Sequence, residues 1–517
     1  AVVAISSYGE GTRWTAWSPY YKVEYQPRAR TIITNNIGHQ AMVDVKSSGQ
    51  AYSLPHLLNR DSGQPSFDDV LIIGAGSGND VAAALTHGAG SIDAVEIDPV
   101  IWRIGQTEHP NQPYSDPRVR TIFNDGRDVL RNTRQNYDLI LYALVDSLVL
   151  HSSQSNLRLE SFLFTRQAFE EIKARLKPDG VFVMANYYRQ GWVVTRLAAM
   201  AKQVFGTEPI VLSLPFRERI RAADREGDAF TILLCGPPDS TRLNAIRRAF
   251  EEKTAFWSTG QLGATVGANA FGERPPATAG ASSWMKIAPS LLEPDPAETS
   301  TTPTDDWPFL YLKTPTIPWV NLKGMGLIAV LSVVMLVGWK PARTTHWNGQ
   351  MFFLGAGFML LETKSVVHLA LLFGATWVVN SIVIGAVLLM ALTSNLFVLL
   401  AKPRRAWIFY VLLFASLGLN LAIPLGTFLD LAQPWRLAAS CVVLFLPILF
   451  AGVIFALAFR ASERPDQDLG ANIAGVILGG LSEYASLMLG FNNLLVLALI
   501  FYGLSAVFAS KRPSVGG

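Results

Sequence analysis

Residues 61–257 alternate apolar strand-like runs with helical stretches, which predicts an α/β fold built on a doubly wound parallel sheet. Residues 317–511 carry long apolar runs, which predict an all-α transmembrane domain of about seven helices fused to it. Three observations support this division. Val70-Leu-Ile-Ile73 ends in three alternating glycines, Gly74, Gly76 and Gly78, and a helical pattern follows from Val81. Eighteen residues beyond Gly78, Glu96 closes a second apolar run that begins at Ile92. The spacing is that of a nucleotide-binding βαβ unit: the glycines admit a ligand to the backbone, the helix offers its first amides, and the carboxylate suits a ribose diol. The third observation is charge, concentrated before residue 316 and thin after residue 324.

The elements follow in order. Tyr20–Tyr25, Thr31–Ile33 and Gln40–Asp44 read as short strands, so residues 1–60 are assigned to an N-terminal β-hairpin lobe with strands and turns throughout 12–58. Val119–Phe123 and Tyr137–Tyr142 read as the third and fourth sheet strands. A helix from Thr165 to Leu176 is stopped by Lys177-Pro-Asp-Gly180, and Val181–Met184 starts the fifth strand. Residues 192–205 form an amphipathic helix, Phe230–Cys235 a late strand, and Ser240–Phe256 another helix. Residues 258–316, rich in Gly, Ala, Pro, Ser and Thr, read as a linker or a loop draped over the domain. Ligands in such sheets bind at the carboxyl ends of strands, so the glycine loop, Glu96, Asp125 and the loop after Tyr142 are expected to converge.

Composition narrows the functional classes. Half of the 517 residues are hydrophobic and 16% are charged, against about 25% in soluble proteins. The net charge of +3, with no basic stripe, argues against a nucleic-acid partner. Two cysteines, Cys235 and Cys441, leave neither a disulfide framework nor a metal site to expect. The chain opens on Ala, with the expectation that it is processed or preceded by further sequence.

Seven apolar segments lie near 320–339, 351–373, 376–400, 406–424, 436–459, 469–489 and 491–510. Lys340, Arg343, Lys402, Arg404, Arg405, Arg460, Arg464, Lys511 and Arg512 fall in loops on one side, with Arg436 alone opposite. The positive-inside rule then predicts a multi-pass protein of the cytoplasmic membrane with the soluble domain on its outer face. Glu362, Lys364, His368 and Glu483 lie within the apolar segments. They read either as a polar path or as helix-fixing pairs such as Lys364–Glu483. Gly475 and Gly479 would allow close helix contact, within the chain or with a partner subunit.

The soluble half resembles the spermidine synthase (polyamine aminopropyltransferase) family over roughly residues 15–235. The resemblance rests on Trp17-Ser-Pro-Tyr-Tyr21, Gln40, Tyr52, the Gly74–Gly78 loop, Glu96-Ile-Asp98, Asp116-Pro-Arg-Val119, Asn124-Asp125-Gly126 and Tyr137-Asp-Leu-Ile. Thr304–Tyr311 and Phe358–Thr363 look like that family's membrane-bound, multi-span branch. The resemblance implies a class I S-adenosylmethionine-binding, Rossmann-like fold that takes S-adenosylmethionine or its decarboxylated form. By position Glu96 would hold the ribose, and Asp125 with Gly126 the adenine. Gly74, Gly76, Ser77 and Gly78 would line the thioether, while Gln40 and Tyr52 would close the site from the hairpin lobe. Two acids of the family pattern are replaced, by Ser77 and Ala143, while the second acid after the fourth strand is kept as Asp146. Carboxylates there would bind a substrate ammonium and take its proton. Asp146 therefore reads as a substrate-binding acid or a turn former, and His151 as a catalytic group or an exposed loop histidine. The function expected is alkyl transfer, aminopropyl or methyl, to an amine acceptor such as a polyamine. The alternative is a non-catalytic scaffold, in a membrane complex or homo-oligomer.

Overall fold

The computed structural model describes residues 7–9, 13–48, 50–145, 159–225, 230–259, 270–273, 284–295, 301–338, 347–424, 426–429 and 431–510. The chain separates into two compact units, one running to Lys313 and one starting at Thr314. Each has its own architecture.

The first unit is built on a seven-stranded sheet: β1 (Asp69–Ile73), β2 (Ser91–Glu96), β3 (Val119–Phe123), β4 (Tyr137–Ala143), β5 (Leu176–Asn186), β6 (Ile210–Leu214) and β7 (Phe230–Cys235). Their order across the sheet is β6-β7-β5-β4-β1-β2-β3. Neighbours from β5 to β3 are parallel, whereas β7 runs antiparallel to both β5 and β6. The sheet is therefore mixed rather than purely parallel. All six residues of β7 are buried, so the apolar run carries no alternation from which direction could be read. Successive strand residues feed opposite faces: Leu71 and Ile73 join a core with Ile140, Phe169 and Phe182, while Val70 and Ile72 join Val81, Leu139 and Leu243.

Helix starts follow side-chain chemistry. The Asp98 carboxylate accepts from the amides of Val100 and Ile101 and opens Pro99–Glu108; Asp125 does the same for Arg127 and Asp128 and opens Gly126–Asn132. Thr165 caps Arg166–Arg175, after which Leu176 already pairs with β4. Ser240 caps Thr241–Lys253, a helix that ends before Phe256, which is buried in the strand Phe256–Thr259.

The N-terminal lobe is a five-stranded antiparallel sheet ending at Ala41. Residues beyond it depart from the strand-and-turn expectation, forming helices Val45–Ser48 and Gln50–Asp61. Pro55 inside the second helix hides it from a reading by breakers, but Leu54, Leu57 and Leu58 face the sheet and hold it. Tyr52 consequently sits on this helix and not on a hairpin.

Residues 301–313 lie against the sheet domain, held by two buried arginines. Arg127 binds Asp305 through both terminal nitrogens, at 2.7 and 2.9 Å, and reaches Glu171 and the Phe162 carbonyl. Arg196 donates to the carbonyls of Leu310, Leu312 and Lys313.

The second unit is helical: Trp319–Gly338, Gly349–Phe373, Trp377–Ala401, Ala406–Ala422, Gln433–Arg460, Pro465–Ser482 continued by short turns to Leu489, and Leu494–Ser510. All seven apolar segments are helical. Among the described residues, four helical stretches are long and apolar enough to cross a bilayer: 349–373, 377–401, 434–460 and 465–489. Trp319–Met335, Ala406–Ala422 and Leu494–Ala509 are shorter. Gly475 and Gly479 meet the helix Gly349–Phe373 of the same chain. A Cβ on Gly475 would lie 1.7 Å from the Phe352 carbonyl oxygen. Asn472 donates to the Met351 carbonyl on that same helix, whereas Asn395 donates to the Ala391 carbonyl of its own helix. Lys364, His368 and Glu483 are buried in this unit, with the Thr363 hydroxyl 3.3 Å from Glu483; Glu362 is half-buried.

Candidate functional site

The chain winds outward from β1 to β3 and then returns to place β4 on the other side of β1. Strand ends diverge at that switch point and leave a crevice. A cavity of about 350 Å³ occupies it, within the size range of small-molecule sites. Ile73, Gly74, Gly76, Glu96, Asn124, Asp125, Gly126 and Ala143 line it from the sheet; Gln40 and His39 line it from the lobe; Tyr52 and Tyr187 line it from the sides.

Glu96 at the end of β2 is buried, and both its oxygens accept backbone donors. The Gly76 amide reaches one at 2.7 Å and the Asp98 amide the other at 2.8 Å. The carboxylate thereby fixes the glycine loop beside itself, and burial pushes its pKa up to about 7. Gly76 has φ +55°, and a Cβ there would lie 2.5 Å from the Gln40 amide nitrogen. Only glycine fits both the backbone conformation and that approach. The Tyr114 hydroxyl donates to the Gly76 carbonyl at 2.7 Å from behind.

Ser77 and Gly78 are not among the residues lining this cavity. The Ser77 amide and hydroxyl both donate to Gln40 Oε1 at 2.8 Å, so this serine ties the lobe to the loop. Gly78 packs under Pro113 and Tyr114. Asp125 borders the cavity while one of its oxygens caps the helix Gly126–Asn132. The wall at the end of β4 is apolar, made by Ala143, Leu144 and Val145. Asp146 and His151 lie outside the described residues.

Residues that the motif reading passed over also face the cavity. Asp80, in the first turn of the helix Asn79–Thr86, opens onto it beside Tyr52, and burial raises its pKa to about 7. Tyr52 is held by Asn79 and feels the Asp80 charge; burial first, then that charge, raises its pKa to about 12. His39 is kept neutral by burial, with a pKa near 4. The signal for Asp80 was present, an acid two residues past the last glycine, but acids are common in any first helical turn.

The spermine/spermidine synthase domain family matches residues 56–215. The polyamine aminopropyltransferase of Escherichia fergusonii is 33% identical over 122 residues, and that of Escherichia coli O1:K1 is 32% identical over 121 residues. Each match covers 23% of this chain and 39% of the relative, so the chain spans about two-fifths of the length of the curated relatives it matches. Among solved structures, spermidine synthase from Thermotoga maritima is 16% identical, covering 47% of this chain and 75% of that one at a TM-score of 0.32. A probable spermidine synthase from Corynebacterium glutamicum is 16% identical, covering 57% and 100% at a TM-score of 0.33.

Proposed function

We propose that this chain, whose residues 56–215 belong to the spermine/spermidine synthase family, is a membrane-anchored alkyltransferase that takes an adenosyl sulfonium donor and an amine acceptor. The observation that carries the reading is the Glu96–Gly76 arrangement at the wall of a 350 Å³ cavity. A buried carboxylate that keeps acceptor capacity beyond its bonds to backbone amides suits a vicinal diol. Gly74 and Gly76 present no side chain to the cavity they line, which suits the close approach of the adenosyl group, and Asp125 with Gly126 borders the adenine end. The residues present thus fit S-adenosylmethionine or its decarboxylated form. When bound, such a donor supplies an electrophilic carbon activated by positive sulfur.

The rest of the chemistry belongs to the protein. Gln40 and Ser77 tie the lobe to the glycine loop at the rim of the crevice. The relatives' name, polyamine aminopropyltransferase, points to a polyamine as the acceptor and aminopropyl as the transferred group. The apolar Ala143–Val145 wall makes an acceptor with fewer charges the expected departure. Long apolar helices with exposed leucines, such as Leu388, Leu392, Leu399 and Leu400 on Trp377–Ala401, support a lipid-embedded second unit.

The test is binding of 5′-methylthioadenosine and S-adenosylmethionine to the full chain in detergent, read by calorimetry. Glu96→Ala is expected to weaken binding about tenfold or more, the loss of one or two hydrogen bonds to a charged group at about 1.5–3 kcal/mol each. Unchanged binding in the variant would refute the ribose placement. No binding of either nucleoside to the native chain would favour the scaffold reading.

A further inference from the structure

Among the described residues, three carboxylates border the cavity: Asp80, Glu96 and Asp125. Two are committed to the backbone. Glu96 holds the amides of Gly76 and Asp98, and Asp125 holds those of Arg127 and Asp128. Asp80 differs: the bond recorded at its carboxylate is from its own amide, and no ion pair reaches it among the described residues. It also occupies a particular place. Asp80, Tyr52, Ala143 and Leu144 border both the main cavity and a small compartment of about 20 Å³ continuing behind it. The remaining walls of that compartment are mostly apolar, from Leu141, Val183, Phe230 and Ile232. The carboxylate therefore stands at the junction between the adenosyl crevice and the apolar end of β4.

We propose that Asp80 is an acceptor-binding acid of this site, receiving the ammonium of a primary amine and taking its proton. The inference rests on the alkyl-transfer reading above. Burial makes an isolated carboxylate costly, and an incoming ammonium is the ligand that relieves the cost. Tyr52 and Tyr187 also line the cavity, where an aromatic ring would attract a cation. The proton passes from R–NH3+ to the Asp80 carboxylate, leaving R–NH2 with a free lone pair. The nitrogen then forms a bond to the carbon on sulfur, the carbon–sulfur pair leaves with sulfur as a neutral thioether, and the product is a secondary ammonium. The raised pKa of Asp80, near 7, suits such a base at neutral pH. The groups facing it are Tyr52 from the helix Gln50–Asp61, Tyr114 from behind the loop, and Glu96, Asp125 and His39 across the cavity.

The experiment uses the full chain in detergent, saturated with 5′-methylthioadenosine, and titrates 1,4-diaminobutane and n-butylamine by calorimetry. Asp80→Asn is expected to lower amine affinity at least tenfold while the nucleoside dissociation constant changes less than twofold. Asp80→Glu is expected to recover part of the amine binding. Retained nucleoside binding shows that each variant is folded. Equal amine affinity in native chain and Asp80→Asn would overturn the proposal, as would a native chain that binds nucleoside but neither amine. Failure of the native chain to bind the nucleoside would instead sink the alkyl-transfer reading on which it rests.

Discussion

Two acids in one crevice have their protons held by burial, and this makes stability depend on pH in a definite direction. Asp80 ionises near 3.8 when solvated and near 7 in the fold. Between those values the native state keeps a proton that the unfolded chain has lost, so stability falls as pH rises through the window and stays low above it. Asp80→Asn removes that penalty, and its side-chain oxygen can still accept the residue's own amide. The thermal midpoint of the variant is expected to exceed that of the native chain at pH 8. The gap should close near pH 4, at about 1–2 °C per kcal/mol for a unit of this size. Glu96 titrates in the same range in both proteins and largely cancels from the comparison. A variant less stable at both pH values would show that the native carboxylate has a partner it needs. Legibility at this scale follows distance along the chain. Glu96 was readable because its spacing from the glycines is fixed by one strand–helix–strand unit. The role of Ser77 was not, because its partner Gln40 arrives from another sheet, 37 residues away.

At the scale of elements, the segment 301–313 shows what patterning cannot reveal. Its composition reads as a linker, yet Asp305 lies against Arg127, a contact spanning 178 residues. Arg127 is almost fully buried and shares its guanidinium among Asp305, Glu171 and the Phe162 carbonyl. Removing one partner of a buried cation leaves charge uncompensated, which costs about 3–5 kcal/mol. Asp305→Ala is expected near the lower figure, because Glu171 remains. Glu170→Ala, which breaks the exposed pair with Arg166, should cost less than about 1 kcal/mol. Denaturation of the full chain in detergent compares the two, and equal small effects would mean that the strap is not held by this arginine. Because Arg127 follows Asp125 and Gly126 directly, loosening the strap should also weaken nucleoside binding. The helix Gln50–Asp61 was misread for the opposite reason: Pro55 is a strong local signal, overruled by leucines packing on the sheet. The seven apolar helices were legible because a run of about 20 apolar residues has few other homes.

For the whole molecule the open question is which side of a membrane the crevice faces. Lys402, Arg404 and Arg405 connect two apolar helices, and Arg460 and Arg464 connect another pair. If Ala406–Ala422 crosses a bilayer and Gln433–Arg460 crosses back, both basic loops return to one side. The positive-inside rule would make that side cytoplasmic, and we propose on that ground that an odd number of spans puts the first unit outside. A permanently charged sulfonium crosses hydrocarbon poorly, so an outward crevice would need a donor supplied on that face. The prediction is tested with a cysteine at Glu251, an exposed position on Thr241–Lys253, in a Cys441→Ser background that leaves only the buried native Cys235. Labelling of intact cells by an impermeant thiol reagent is the expected result, with Glu251→Cys modified as fully before lysis as after it. Protection in intact cells and labelling only after lysis would overturn the charge argument. It would mean an even number of crossings, reached if one of the three shorter helices lies on the bilayer instead of through it. The crevice would then open onto the compartment where sulfonium donors are made.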